Sequence, residues 1–471
     1  MRLRLLGLLV GLLGFVSALS AQGNELLVVI EDEEEKGKYT QFWSDLQERG
    51  FQLTYLSPKD TTLSLFQHDV PAYTHLLLLP TKSKGLGPSL TPQLIVDFVN
   101  AGSNVLLALS STSGTPSAIS ALLAELDIAL PAERNSLVVD HFNHDSISAP
   151  ETHDVLLLPS PGDKPGVKPF FAVPGLIAFP RAVGQVLGAA SPLLAPILAA
   201  PRTAYAYNPK DDSGEALDDL FASGAQLALA SAFQARNSAR FTVLGSAEAL
   251  TDEWFTASVS LPTNSVTKAG GAKTPTANRA FARQLTAWAF KEAGVLRVEG
   301  IAHFLNEPPT GAYTFELNPP IYRIKNHVYY SAALSEWDGT RWTPFVPPAG
   351  DAVQLEFSML SPFHRLNLNA SSGNPTATEF TAEFDLPDQH GIFNFMLEYR
   401  RPFLTVVEEK RTVTVRHFAH DEWPRSFVIT GAYPWISGIG VTVVGWVGFV
   451  ALWLYSKPGK PQRDLKVGGK R

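Results

Sequence analysis

The chain is 471 residues long, with 38 Lys and Arg against 45 Asp and Glu, a formal net charge of -7 and 45% apolar residues. That length implies more than one domain, and the acidic balance excludes a large basic surface, so nucleic acid is not an expected partner. There is no cysteine, which excludes disulfides, thiol nucleophiles and CxxC redox chemistry.

In chain order, Arg2 and Arg4 precede an apolar run from Leu5 to Val16 and small residues at Ala18, Ser20 and Ala21. This layout predicts a signal peptide over residues 1–21, cleaved near Ser20 or Ala21, because the run is too short to span a bilayer. ELLVVI, the helical spacing of Tyr39, Phe42, Trp43 and Leu46, and FQLTYL then read as strand, helix, strand. HLLLLP, the helix opened by Thr91-Pro92, and NVLLAL repeat that pattern. Fully apolar strands alternating with amphipathic helices predict a parallel sheet covered on both faces, an α/β domain over 22–160. The acidic run Glu31 to Glu35 falls where the first strand ends, which is either a ligand edge or a solvated loop.

A second α/β region is expected over 161–299, forming one large or two smaller domains with the first. Pro159 to Pro201 is rich in Pro, Gly and Ala, strand-like runs resume with AQLALASAF and ARFTVLGS, and Pro262 to Pro275 reads as an exposed loop. A helix is expected from Asn278 to Ala293, with Phe281, Leu285, Trp288 and Ala289 on one stripe and Gly294 as its stop.

Beyond Gly300 the apolar period becomes two: Val353, Leu355, Phe357 and Met359, then Phe380, Ala382, Phe384 and Leu386, then Phe393, Phe395, Leu397 and Tyr399. This predicts an antiparallel β-sandwich over 300–423, with Pro387 to Gly391 as the turn of a hairpin. A connector (424–434) leads to the uncharged stretch 435–455, long enough for one transmembrane helix. Its tail, 456–471, carries Lys457, Lys460, Arg463, Lys466, Lys470 and Arg471 against a lone Arg425 just before the helix, so the tail is expected on the cytosolic side.

The common phosphate-loop, dinucleotide, zinc-protease and nucleophile-elbow motifs do not occur in this sequence. Asp140, His141, Asn143, His144 and Asp145 cluster as metal ligands do, but polar loops after strands have the same composition. His417, His420, Asp421 and Glu422 pose the same choice beside the membrane segment. Asn369-Ala370-Ser371 is a glycosylation sequon, and Gly438, Thr442, Gly445 and Gly448 form a stripe of small residues against which another helix could pack.

QARNSARFTVLGS (Gln234 to Ser246), WAFKEAGVLRV (Trp288 to Val298), LPDQHGIFNF (Leu386 to Phe395) and AYPW (Ala432 to Trp435) resemble the 48-kDa, non-catalytic subunit family of the endoplasmic reticulum oligosaccharyltransferase. FVNAGSNVLLALSS and VVDHFNHD are similar to that family too, which favours a structural loop over a metal site at the latter. The strand and helix pattern of the first domain suggests an amidotransferase-like α/β region, and the resemblance implies a complex that moves a preassembled oligosaccharide from dolichyl diphosphate to asparagine in N-x-S/T sequons. It implies no cofactor and no catalytic residue in this chain. The implied partners are a multispanning catalytic subunit, a ribophorin-II-type subunit and a small defender-against-death-type subunit, in the endoplasmic reticulum membrane with the bulk of the chain lumenal. Gly468 and Gly469 stand where some members carry a dilysine retrieval signal, so retention through assembly is expected. Two other readings stay open on the residues alone: a lumenal glycan-binding receptor outside that complex, and an amidotransferase-like enzyme, which would lack its usual cysteine nucleophile.

Overall fold

A computed structural model describes residues 19–457 and 459, apart from 84, 162–166, 210–220, 263–270, 272, 308–314, 372–374 and 424–431. The signal-like segment before Leu19, most of the 263–272 loop, the connector over 424–431 and the basic tail past Gly459 lie outside the described residues.

The first body is built on one sheet, in the order Gln52–Leu56, Glu25–Val29, His75–Leu78, Asn104–Ala108, Arg240–Leu244, Leu227–Gln234, Gln185–Leu187, Ile128–Ala129, with Leu194–Ala199 also paired to Leu227–Gln234. The sheet is mixed, which corrects the expected parallel one. Its first five strands run parallel, but Leu227–Gln234 pairs antiparallel with Arg240–Leu244. The cause is the length of the connection: residues 235–239 suffice for a hairpin, with Ser238 at φ 65°, and a parallel return needs a crossover of a dozen residues or more. Strands from both sides of position 160 thus share one sheet.

The helices form where the spacing places them. Thr91 caps helix Pro92–Asn100 by accepting from the Leu94 N–H (3.3 Å), and Ile95, Phe98 and Val99 face the sheet. Helix Asn278–Ala289 is one turn shorter than the sequence suggests. Lys291 adopts a positive φ, and the buried Arg240 guanidinium takes the carbonyls of Trp288 (2.5 Å), Ala293 and Gly294 (both 2.7 Å). A side chain, not a further helical turn, satisfies those terminal acceptors. Arg49 crosses from helix Thr40–Glu48 to Glu292 at 2.9 Å, both ends almost wholly buried.

The second body starts at Val295. One five-stranded sheet holds Val295–Leu305, His327–Trp337, Trp342–Pro344, Thr378–Asp385 and Asn369–Ser371; the other holds Ile321–Arg323, Val407–Arg416, Gly391–Tyr399, Gln354–Ser358 and Pro362–Asn367. Their facing aromatics form one core, with Tyr330 stacked on Phe395 (centroids 5.5 Å) and Phe357 on Phe393 (4.7 Å). The expected hairpin at Pro387 to Gly391 is an arch. Thr378–Asp385 pairs within the first sheet, whereas Gly391–Tyr399 pairs with Gln354–Ser358 and Val407–Arg416 in the second. Both flanking strands alternate alike, so period two cannot separate an arch from a hairpin. The arch is held by the Leu386 N–H to Asn326 O (2.9 Å) and the Lys325 N–H to Pro387 O (3.4 Å).

The two bodies are joined through the loop after Tyr399. Phe403, 3% exposed, belongs to the core of the α/β body. Its carbonyl accepts from the Trp288 indole N–H (2.8 Å), the Leu404 carbonyl accepts from Gln234 Nε2 (2.7 Å), and the Thr405 N–H donates to Gly294 O (3.0 Å). Gly294 has φ +66°, and a Cβ there would meet Phe403 O at 2.5 Å, so only glycine fits. Leu19 to Ala21, at the expected cleavage point, lie against both bodies: the Trp337 indole donates to Leu19 O (2.7 Å) and the Ala21 N–H to Lys291 O (3.0 Å). Among the described residues one helix, Tyr433–Tyr455, is long and apolar enough to cross a membrane.

His75 is fully buried in the α/β core between Gly23 O (3.0 Å from Nε2) and Asn104 Nδ2 (3.1 Å from Nδ1), and burial pushes its pKa down to about 3. His303, stacked on Phe395, is pushed down to about 4, again by burial first. A histidine neutral when folded but ordinary when unfolded stabilises the fold fully above pH 6.5. That contribution is lost as pH falls toward these lowered values, by about 1.4 kcal/mol per pH unit for each residue. Thermal melts should therefore show a falling Tm between pH 6.5 and 4. The slope should be shallower for His75→Gln, and an unchanged slope in that variant would contradict this assignment.

Candidate functional site

A cavity of about 780 Å³ opens beside the carboxyl end of strand Asn104–Ala108 and is walled by the short pair Leu137–Val139 and Tyr205–Tyr207. Strand ends of an open α/β sheet are where crevices form, since the loops there diverge. Ala206 points into the core while Tyr205 and Tyr207, two residues apart on one strand face, line the cavity. His141 links to His153 (Nδ1 to Nδ1 2.6 Å) and to the Tyr205 hydroxyl (3.0 Å from Nε2). His144 packs tilted against His153 with centroids 4.1 Å apart and is nearly buried. Its Nδ1 has no partner among the described residues, and burial lowers its pKa, with the His153 ring adding to the effect.

Two of the three carboxylate or guanidinium groups lining the cavity, Arg181 and Asp154, are engaged locally, and the third, Glu151, is exposed. Arg181 is paired with Glu248, which raises its pKa, and Asp154 accepts from the Thr152 hydroxyl (2.6 Å). His153 (φ 52°) and Arg181 (φ 45°) both adopt left-handed backbone conformations at the rim, which cost energy in residues with a Cβ. The result is a crevice of phenol, imidazole and hydroxyl groups with one exposed carboxylate, suited to a ligand that offers hydrogen bonds and a flat face.

The sequence cluster at 140–145 is divided by the fold. Asp140, fully buried, accepts from the Phe142 and Asn143 N–H groups and from the Thr203 hydroxyl (2.8 and 2.7 Å). Asp145 accepts from the Ser148 and Ser260 N–H groups (3.0 and 2.8 Å). Both carboxylates tie turns, and only His141 lines the cavity. Among the described residues no three His, Asp or Glu are arranged to hold a metal ion. The second cluster is also divided: Arg416 forks onto Glu422 (2.7 Å to each oxygen), while His417 packs on Trp423 (centroids 5.3 Å).

The acidic run is an internal network. Glu31 accepts from the Ser83 hydroxyl (2.6 Å), the Lys82 N–H (2.6 Å) and Lys59 Nζ (3.0 Å), and the Ser83 bond foremost draws its pKa down to about 2. Asn369 stands exposed on the edge strand Asn369–Ser371. Gly438, Gly445 and Gly448 are bare, since a Cβ on any of them meets nothing within 4 Å, and the Thr442 hydroxyl donates to Gly438 O (2.9 Å). Sequence reading missed His153, Arg181 and Tyr205. The Tyr-x-Tyr alternation at 205–207 was the one signal available.

Residues 17–292 match the OST48 N-terminal domain and residues 310–457 the OST48 middle domain. The chain is similar to the dolichyl-diphosphooligosaccharide–protein glycosyltransferase subunit wbp1 of Schizosaccharomyces pombe, at 34% identity over 90% of this chain and 91% of that one. It is also similar to the 48 kDa subunit of the same glycosyltransferase from Caenorhabditis elegans, at 32% over 98% and 97%, and to the subunit WBP1 of Saccharomyces cerevisiae, at 29% over 97% of each chain.

Proposed function

Because the chain belongs to the OST48 family, we propose that it is the non-catalytic, structural subunit of the oligosaccharyltransferase complex of the endoplasmic reticulum membrane. That assembly transfers a preassembled oligosaccharide from dolichyl diphosphate to asparagine in N-x-S/T sequons. The observation that carries the structural role is the junction at Trp288, Gly294 and Phe403, which fastens the α/β body to the β-sandwich by packing and hydrogen bonds, in a chain whose described residues include one helix apolar enough to cross a membrane. The carboxylates singled out in the sequence support it as well, since Glu31, Asp140 and Asp145 serve turns and ion pairs within the chain. In this reading the α/β body is amidotransferase-like, a kinship supported by its run of parallel strands. The bulk of the chain is lumenal, the tail beyond the helix is cytosolic, and Asn369 carries a glycan that shields its edge strand.

The partners in this proposal are a multispanning catalytic subunit, a ribophorin-II-type subunit and a small defender-against-death-type subunit. Tagging the tail, solubilising membranes in mild detergent and identifying stoichiometric companions tests it. Recovery of a multispanning glycosyltransferase is expected, and a tagged chain that emerges alone sinks the proposal. The stripe Gly438, Thr442, Gly445 and Gly448 serves as the contact for a neighbouring helix, because small residues let backbones approach and gain packing that lipid does not supply. Replacing Gly438 and Gly445 together by leucine should cut complex recovery several-fold and leave the protease resistance of the two bodies unchanged. Normal recovery from that variant would exclude the stripe as a contact.

A further inference from the structure

We infer that the end of the sandwich remote from the α/β body rests on the surface of a lipid bilayer, with the turn Met359–Ser361, Ile392 and Trp423 in the headgroup zone. Strands Gly391–Tyr399 and Val407–Arg416 run the length of the sandwich and fix its two ends. At one end Tyr399 pairs with Val407, and the loop between them carries Phe403 into the core of the α/β body. At the other, about 30 Å away for nine residues of strand, Gly391 pairs with Val415. The first sheet has the same polarity: Val295 pairs with Trp337 beside the α/β body, and His327 with Asp385 at the far end.

Exposed apolar side chains gather at that far end. Ser358 pairs with Asn394, so the turn that follows lies beside Gly391, where the Met359 sulfur comes within 2.6 Å of a built Cβ. Leu360, at the tip, is 99% exposed, Ile392 62% and Trp423 51%. His417 joins them, its ring edge-on to His390 and tilted against Trp423. The turn Met359-Leu360-Ser361-Pro362 has no charged residue, and of the charges nearby Lys325 pairs with Asp388 (3.6 Å) and Arg416 with Glu422.

The occupant follows from where the chain goes next. Ten residues after Trp423 the apolar helix begins at Tyr433, with Trp435 in its first turn, and ten extended residues span at most about 35 Å. The chain thus leaves the sandwich toward the membrane anchor from the same end that carries the exposed tip. Its mixture of Leu, Ile, Trp and His suits the bilayer interface, where aromatic and aliphatic groups sit among headgroups. A lipid surface covers Leu360 without requiring a shaped pocket.

This inference rests on the reading of Tyr433–Tyr455 as a spanning helix, and the test separates the two. The chain contains no cysteine, so Leu360→Cys, Val444→Cys and Arg341→Cys each give one spin-labelled site on the full-length protein in phosphatidylcholine vesicles. Arg341 is the control near the α/β body, its side chain 80% exposed. Collision with oxygen relative to a water-soluble nickel chelate should be highest at Val444, intermediate at Leu360 and lowest at Arg341. A deep Val444 with Leu360 as open to nickel as Arg341 overturns the inference. A Val444 open to nickel overturns the spanning helix itself.

Discussion

Replacing Arg240 with methionine should lower the stability of the α/β body by about 3 to 5 kcal/mol, the range for unbalancing a buried charged group and the partners it leaves behind. Arg240 is fully buried with no carboxylate paired to it among the described residues, and desolvation brings its pKa down to about 9, so it stays cationic at neutral pH. Three backbone carbonyls at the end of helix Asn278–Ala289 and the face of Trp288, 4.7 Å from the guanidinium carbon, stand in for the missing anion. The negative end of the helix dipole supplies the compensating charge. Methionine fills the volume but leaves those carbonyls without donors. Lysine keeps the charge on a single point and cannot bridge all three, so Arg240→Lys should fall between methionine and wild type. Urea midpoints of the three proteins would check the order, and a lysine variant as stable as wild type would refute the role of the planar fork. Total stabilities of about 5 to 15 kcal/mol make such a loss visible in cells as reduced abundance.

Trp288→Ala should cost about 3 to 5 kcal/mol through the cavity it leaves, and it should also part the two bodies. The indole is packed against Phe171 and Phe403 and donates to the Phe403 carbonyl, so it holds the α/β core and the sandwich loop together. Limited proteolysis should then cut the alanine variant within 400–406, a segment that wild type protects. Trp288→Phe keeps most of the packing and loses the N–H, and should cost about 1 kcal/mol with the junction still closed. A resistant alanine variant would show that the remaining bonds of Gln234 and Gly294 suffice.

Much of this fold is legible in the sequence where burial is uniform. The runs at Glu25–Val29, His75–Leu78 and Asn104–Ala108 are buried almost throughout and read as strands without ambiguity. The stretch Pro159 to Pro201 hides three strands, Leu176–Pro180, Gln185–Leu187 and Leu194–Ala199, because Ala, Gly and Pro carry little strand signal. Sheet order is a different matter. Nothing local says that Arg240–Leu244 lies beside Asn104–Ala108, or that the chain changes sheets between Asp385 and Gly391. The cavity is less legible still. His141, His153, Arg181 and Tyr205 come from four separate loops and strand ends, and each alone reads as an ordinary polar surface residue. Conversely, Asp140 and Asp145 looked like chemistry in sequence because turn-forming carboxylates and ligand carboxylates have the same composition.

Phe403 gives the assembly of this protein a timetable. A chain made from its amino terminus delivers every strand of the first sheet by Leu244 and its last long helix by Ala289, yet the wall that closes that core arrives only with Phe403, Leu404 and Thr405. Until then the Trp288 indole N–H and the Gln234 amide lack the carbonyl partners they have in the finished fold. The missing segment emerges shortly before the apolar helix that starts at Tyr433. Sealing of the first body and arrival of the membrane anchor are thereby nearly simultaneous in synthesis, and domain-by-domain maturation, the usual course for long chains, gives way to a single late closure.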